Sequence, residues 1–166
     1  ASAIACIRQA LSQKPDWIAT MDADHSHRPQ DLAKLWQAAS SNRYDVIIGS
    51  RYVPGGRIED WNWKRRLSSR AVNWFARWIL WLRTNDNSGA FRVYRAESLK
   101  RINFQKIDCR GFAYLEQLLL HLQRSGATMR EVPIVFAERE EGESKVSVSE
   151  LFRNLRDIAW LAIRRG

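Results

Sequence analysis

The sequence predicts an α/β domain built on one sheet, and three observations carry that prediction. Short apolar runs of strand length, such as Trp17-Ile18-Ala19-Thr20-Met21 and Val46-Ile47-Ile48, alternate with longer segments of helical periodicity. The chain both opens and closes on a helical pattern. The first apolar run ends in Asp22-Ala23-Asp24, two carboxylates at the end of a strand, where open α/β sheets place their ligands.

Each element follows from its residues. Ile4, Ile7, Ala10 and Leu11 have helical spacing over 2–13, and Lys14-Pro15-Asp16 turns the chain into the strand at 17–21. Leu32, Leu35, Trp36 and Ala39 predict an amphipathic helix, entered through Pro29 with Asp31 in its first turn. Val46-Ile47-Ile48 is a buried strand that stops at Gly49-Ser50-Arg51, and Val53-Pro54-Gly55-Gly56 is a loop. A long helix is expected over roughly 64–83, a strand at Phe91-Arg92-Val93-Tyr94 and a helix at 112–124 closed by Gly126. A strand follows at 130–136, where Pro133 argues for a sheet edge, and Ser147 with Glu150 forms a capping box for a final helix.

Composition bounds what such a domain does. At 166 residues the chain is most simply one domain with one core, and 45% hydrophobic with 27% charged residues excludes global disorder. A net charge of +9 asks for an anionic partner: nucleic acid, anionic lipid headgroups or a phosphorylated small molecule. Cys6 and Cys109 form no C-x-x-C pair, so they read as two structural thiols in a reducing compartment. No apolar run approaches the ~20 residues of a spanning helix.

The charge is not evenly spread. Arg51, Arg57, Lys64, Arg65, Arg66, Arg70, Arg77 and Arg83 face only Glu59 and Asp60 in the stretch 51–83, which also holds five of the eight tryptophans. On a helix, Leu67, Ala71, Trp74, Trp78 and Leu82 form an apolar stripe that reads as core, beside a polar stripe of Arg66, Arg70, Asn73 and Arg77. A solvated face is the plain account of the arginines, but Trp61, Trp63 and Trp81 beside them favour an interface at headgroup level or on stacked bases. The segment 136–145 adds Arg139 and Lys145 around a flexible Gly142, as a mobile clamp on a diphosphate requires. Its acids outnumber its bases, which argues against a nucleic-acid partner and for a local, metal-assisted phosphate site. Asp22 and Asp24 are hard oxygen ligands suited to Mg²⁺ or Mn²⁺.

In order along the chain stand D-A-D-H-S-H-x-P at 22–29, G-S-R-Y at 49–52, G-G at 55–56, W-x-x-x-R at 61–65, S-R at 69–70, Asn73 and Asp86. S-G-A-F-R-V-Y-R at 88–95, E-V-P-I at 131–134 and R-x-x-G-E-S-K at 139–145 complete the series. This order resembles the dolichyl-phosphate (polyprenyl-phosphate) mannosyltransferases, inverting glycosyltransferases of the GT-A, Rossmann-like fold. The resemblance implies transfer of mannose from GDP-mannose to a dolichyl or polyprenyl phosphate, at the cytoplasmic face of a membrane to which the protein binds peripherally. It implies a metal site of Asp22, Asp24 and Ser26, with Asp24 the direct contact. It places Arg51, Arg65 and Ser69 on the acceptor phosphate and Arg139 and Lys145 on the donor diphosphate, so that Asp24, Arg51 and Arg139 carry the catalysis. Glu116 falls where relatives often have an acid, with a structural role as much expected as a chemical one.

The family's leading strands, which grip base and ribose, have no counterpart here. The expectation is therefore residues 1–166 as a single partial catalytic domain, its C-terminal portion, with an exposed sheet edge that favours a homo-oligomer. Two alternatives remain open: transfer of glucose or an aminosugar from a UDP donor, and a non-catalytic basic binding fragment.

Overall fold

The computed structural model describes residues 3–108, 113–137 and 148–163. Its elements run α1 (Ala3–Ser12), β1 (Trp17–Thr20), α2 (Pro29–Ser40), β2 (Val46–Ser50), β3 (Arg57–Ile58), α3 (Trp63–Leu80), β4 (Arg92–Arg95) and α4 (Ala96–Lys100). A 3₁₀ turn at Phe104–Lys106 precedes α5 (Ala113–Arg124), β5 (Met129–Pro133), β6 (Val135–Phe136) and α6 (Val148–Ile163).

Four strands form a mixed sheet in the order β1-β4-β2-β5, with β4 antiparallel to both its neighbours and β5 parallel to β2. Side-chain alternation splits the core between the two faces. Val46, Ile48 and Tyr94 join a cluster with residues of α1, α3, α5 and α6, while Ile47 and Val93 pack with Leu35, Ala38 and Ala39 of α2. The α/β expectation holds, with the antiparallel β4 as a feature that apolar spacing does not encode.

This topology gathers the site. β1, β2 and β5 all point the same way, so Asp22, Arg51 and the segment after Pro133 emerge at one edge of the sheet. There a second, two-stranded sheet pairs β3 with β6 in parallel. The single strand expected over 130–136 is thus two strands: β5 closes the edge of the main sheet, as Pro133 indicated, and β6 leaves it for β3. Gly56 permits the approach, since a Cβ there would lie 2.5 Å from the carbonyl oxygen of Ser50. At the end of α5, Gly126 takes a φ of +83° and Ala127 N–H returns to the Leu122 carbonyl, the glycine-dependent stop expected there.

Helix α3 corrects one reading. Leu67, Ala71, Trp74 and Trp78 are exposed, and only Leu82 of the stripe expected in the core is buried. The buried residues of α3 are Val72, Asn73, Ala76 and Leu80. Val72, Ala76 and Leu80 join the larger core cluster, with Phe75 and Ile79 packed against it, while Asn73 reaches the hydrogen-bonded loop at 87–88. Cys6 is likewise exposed rather than structural, and Cys109, Ser147, Arg139 and Lys145 lie outside the described residues.

Candidate active site

After β1 the chain makes a tight turn through the two carboxylates. Asp24 Oδ1 accepts the Ser26 hydroxyl at 2.5 Å and the Ser26 amide at 3.1 Å, which orients the acid from within its own loop. His25 takes a φ of +60° to complete the bend. His27 is buried between Phe91 and Phe136, with ring centroids 4.6 and 5.2 Å away, and its Nε2 lies 3.5 Å from Asp22 Oδ2. His27 also bridges to Phe136 through the backbone, and the Ala137 amide donates to the Ser26 carbonyl at 3.1 Å. Strand β6 therefore clamps this turn, and Asp31 secures the clamp by accepting the Val135 amide at 2.9 Å.

The second part of the site starts where β2 ends. Arg51 is buried and bidentate to Asp86, Nε to Oδ2 and Nη2 to Oδ1 at 2.7 Å each, while its backbone amide donates to Oδ2 at 2.9 Å. The neighbouring Asp86 carboxylate holds the guanidinium protonated against the cost of burial, and Arg51 in turn holds Asp86 below the usual carboxylate range. Arg51 also lies over Phe136 at 5.2 Å and near Trp61 at 6.0 Å. The other side of the cluster is Arg65, whose guanidinium sits 3.8 Å from the Trp61 ring. Asn62 caps α3 by accepting the Arg65 amide at 2.9 Å, so the cation stands at the positive end of the helix. One turn on, the Ser69 hydroxyl meets the Tyr52 hydroxyl at 2.6 Å.

A buried network supports this cluster. Asn73 donates to the Ser69 carbonyl and the Ser88 hydroxyl and accepts from the amides of Asn87 and Ser88, which uses its full amide capacity. Ser88 also accepts from Arg51 Nη2 at 3.1 Å. Glu131 on β5 accepts the amides of Asn85 and Asp86, both at 2.9 Å, and so fixes the loop that presents Asp86. Arg92, fully buried, donates to the carbonyls of Leu115 and Asn87.

The structure thus brings Arg51, Arg65 and Ser69 into one cluster, and Phe136 joins that cluster to the turn holding Asp22, Asp24 and Ser26. Sequence reasoning listed Asp86, Asn73 and Glu131 within motifs without assigning them work, and it missed Trp61 and Phe136 as the connecting rings. Their signal was only in long-range contacts. Among the described residues no three His, Cys, Asp or Glu side chains converge as a metal cage. The oxygen donors of Asp22, Asp24 and Ser26 are of the chemical kind that a hard divalent cation takes.

A sheet whose strand ends gather a carboxylate turn and a cationic cluster is the arrangement of a GT-A glycosyltransferase domain. The glycosyl transferase family 2 pattern matches residues 1–102, and the chain belongs to that family. It is 38% identical over 144 residues to the polyprenol monophosphomannose synthase of Mycolicibacterium smegmatis, an alignment covering 87% of this chain and 54% of that protein. It is also 38% identical over 144 residues to the undecaprenyl-phosphate mannosyltransferase of Micrococcus luteus, covering 87% of this chain and 58% of that protein. The chain spans a little over half the length of these relatives.

Proposed function

We propose that the enzyme to which this chain belongs transfers mannose from GDP-mannose to a dolichyl or polyprenyl phosphate, with inversion and with Mg²⁺ or Mn²⁺. The observation that carries the reading is the convergence of Arg51 and Arg65 on Trp61, with Ser69 alongside and the carboxylate turn next to it. The names of both relatives support mannose and a polyprenyl phosphate.

The chemistry needs little from the protein beyond placement. A phosphate monoester with a second pKa near ~6 is largely a dianion at neutral pH, so its oxygen attacks the anomeric carbon without a strong general base. The new C–O bond forms as the bond from that carbon to the nucleoside diphosphate breaks on the opposite face, and configuration inverts. Arg51 and Arg65 would hold the attacking phosphate in line, with the Ser69 hydroxyl as a further donor. Asp24, with Asp22 and Ser26, would hold the cation, which when bound stabilises negative charge on the departing diphosphate. Arg139 and Lys145 are proposed to add to that stabilisation.

A peripheral position at the cytoplasmic face of a membrane follows from the acceptor, and no helix among the described residues is long and apolar enough to cross one. Self-association through β1, which pairs only with β4 among the described strands, is proposed as well. The test is transfer of labelled mannose from GDP-mannose to a polyprenyl phosphate, run against UDP-glucose and with and without EDTA. Transfer from the UDP donor alone would replace the donor assignment, and EDTA-resistant transfer would remove the cation.

A further inference from the structure

Next to the Arg51–Asp86 pair lies a second buried polar group, built by β4 and α5. Arg92 and Tyr94 stand two residues apart on β4 and so project from one face of the sheet, the face that α5 covers. Glu116 enters from α5, and Arg92 Nη1 donates to the carbonyl of the residue before it, Leu115, at 3.1 Å. All three side chains are completely buried. Neither Glu116 carboxyl oxygen, nor the Tyr94 hydroxyl, nor Arg92 Nε has a hydrogen-bond partner among the described residues.

A buried guanidinium ordinarily stands against a carboxylate, as Arg51 does against Asp86. Arg92 instead gives its two Nη groups to the carbonyls of Leu115 and Asn87, and the Glu116 carboxyl stays without a partner. Burial without a hydrogen bond penalises only the charged form of an acid, so the Glu116 carboxyl is pushed up to about 8 and keeps its proton at neutral pH. Arginine has no such escape. The buried charges here are therefore two guanidiniums, Arg51 and Arg92, against the single carboxylate of Asp86, and one positive charge is in excess. The charged groups that act on Glu116 are these three: Arg92 on β4, Asp86 in the loop before it and Arg51 after β2. Tyr114 neighbours it on α5, and α6, which also packs on α5, turns Ile158 and Leu161 inward. Coulombic influence is mutual, so the charge state of Glu116 is felt at Arg51.

We propose that Glu116 is a positioning residue for the acceptor phosphate: the proton it retains leaves the buried arginines with an uncompensated charge that draws a dianion onto the Arg51–Arg65 cluster. The proposal rests on the phosphate reading of that cluster. Ionised, Glu116 cancels the excess, and a dianion then binds more weakly, by about tenfold for a charge some ~10 Å away in a partly solvated interior. The coupling is reciprocal. A bound dianion makes the proton harder to remove, so binding near the pH at which Glu116 titrates takes up protons.

The experiment measures binding of butyl phosphate to this chain by calorimetry, from about pH 7, where a phosphate monoester is already largely a dianion, to about pH 9.5. Wild type should lose about tenfold in affinity across that range, Glu116→Gln about twofold at most, and Arg65→Gln should bind weakly throughout. A glutamate with a structural role alone would give a difference between wild type and Glu116→Gln that is the same at every pH. Titrations near pH 8 in buffers of different ionisation heat add a readout that needs no variant to fold: wild type should take up a fraction of a proton on binding. Absence of butyl phosphate binding at pH 7, or binding indifferent to Arg65→Gln, would overturn the phosphate reading and the proposal together. Binding that weakens with pH by the same factor in wild type and Glu116→Gln, or that takes up no proton in wild type, would overturn the proposal alone.

Discussion

The two halves of the site are held in opposite ways. Arg51 and Asp86 are buried and joined by three hydrogen bonds, and the loop behind them is fixed by Glu131 and Asn73. The Asp22–Ser26 turn is half-open, and Ser26 within the same loop orients Asp24. The difference teaches that the cation cluster is locked in place by long-range bonds, whereas the carboxylates are held by contacts within their own loop and stand partly open to solvent. Removing a member of the first should therefore damage the fold, and removing a member of the second should damage the reaction.

Asp86→Ala is the largest expected effect. It leaves Arg51 charged and buried without its partner, a loss of about 3–5 kcal/mol. For a domain of this size that is a fall of roughly 10 °C in the unfolding temperature, measurable by circular dichroism. A variant that melts within about 2 °C of wild type would break the comparison from the structural side.

Asp24→Ala should invert the pattern. The proposed loss of charge stabilisation lowers turnover about 10²–10³-fold, while the lost contacts to Ser26 cost only about 1 kcal/mol of stability. Parallel assays of mannose transfer and of melting temperature decide it. Activity within tenfold of wild type would leave Asp24 with a turn-forming role alone.

What was legible in the sequence was local. Two acids directly after an apolar strand, or Pro133 in a strand, carry their meaning within a few residues. The Arg51–Asp86 pair joins positions 35 apart in sequence and the Asp86–Glu131 contact positions 45 apart, so neither has a periodicity to read. The division of 130–136 into β5 and β6 has the same origin, since β6 exists only because β3 is there to pair with it. Helix α3 was misread for a different reason. Spacing reveals that Leu67, Trp74 and Trp78 share a face, but not whether that face meets a protein core or an external phase, and the rule that apolar residues turn inward presumes water outside. The inward face, Val72, Phe75, Ala76, Ile79 and Leu80 around Asn73, is apolar as well, so periodicity alone offers two candidate core faces on one helix.

A third buried acid sharpens the comparison with the smallest expected effect. Glu116 on α5 is fully buried, and neither carboxyl oxygen has a hydrogen-bond partner among the described residues. Burial pushes its pKa up from 4.5 to about 8, only partly opposed by Arg92, so unlike Asp86 it is neutral in the folded protein at neutral pH. The folded state then holds a proton that the unfolded chain has released between about pH 4.5 and 8. The contribution is complete below that window and is lost as pH rises through it, which is the reverse of Asp86, whose depressed pKa makes it stabilising above the normal carboxylate range. His121, lowered by burial, has a slope of the other sign in part of the same window, so the measured quantity is wild type against Glu116→Gln at each pH. The glutamine keeps the shape and cannot ionise. Its advantage should grow from near zero at pH 5 to about 1–2 kcal/mol at pH 8, less than a rigid dry site would give. A difference that does not change with pH would mean that Glu116 is ionised in the folded protein and paired, as Asp86 is.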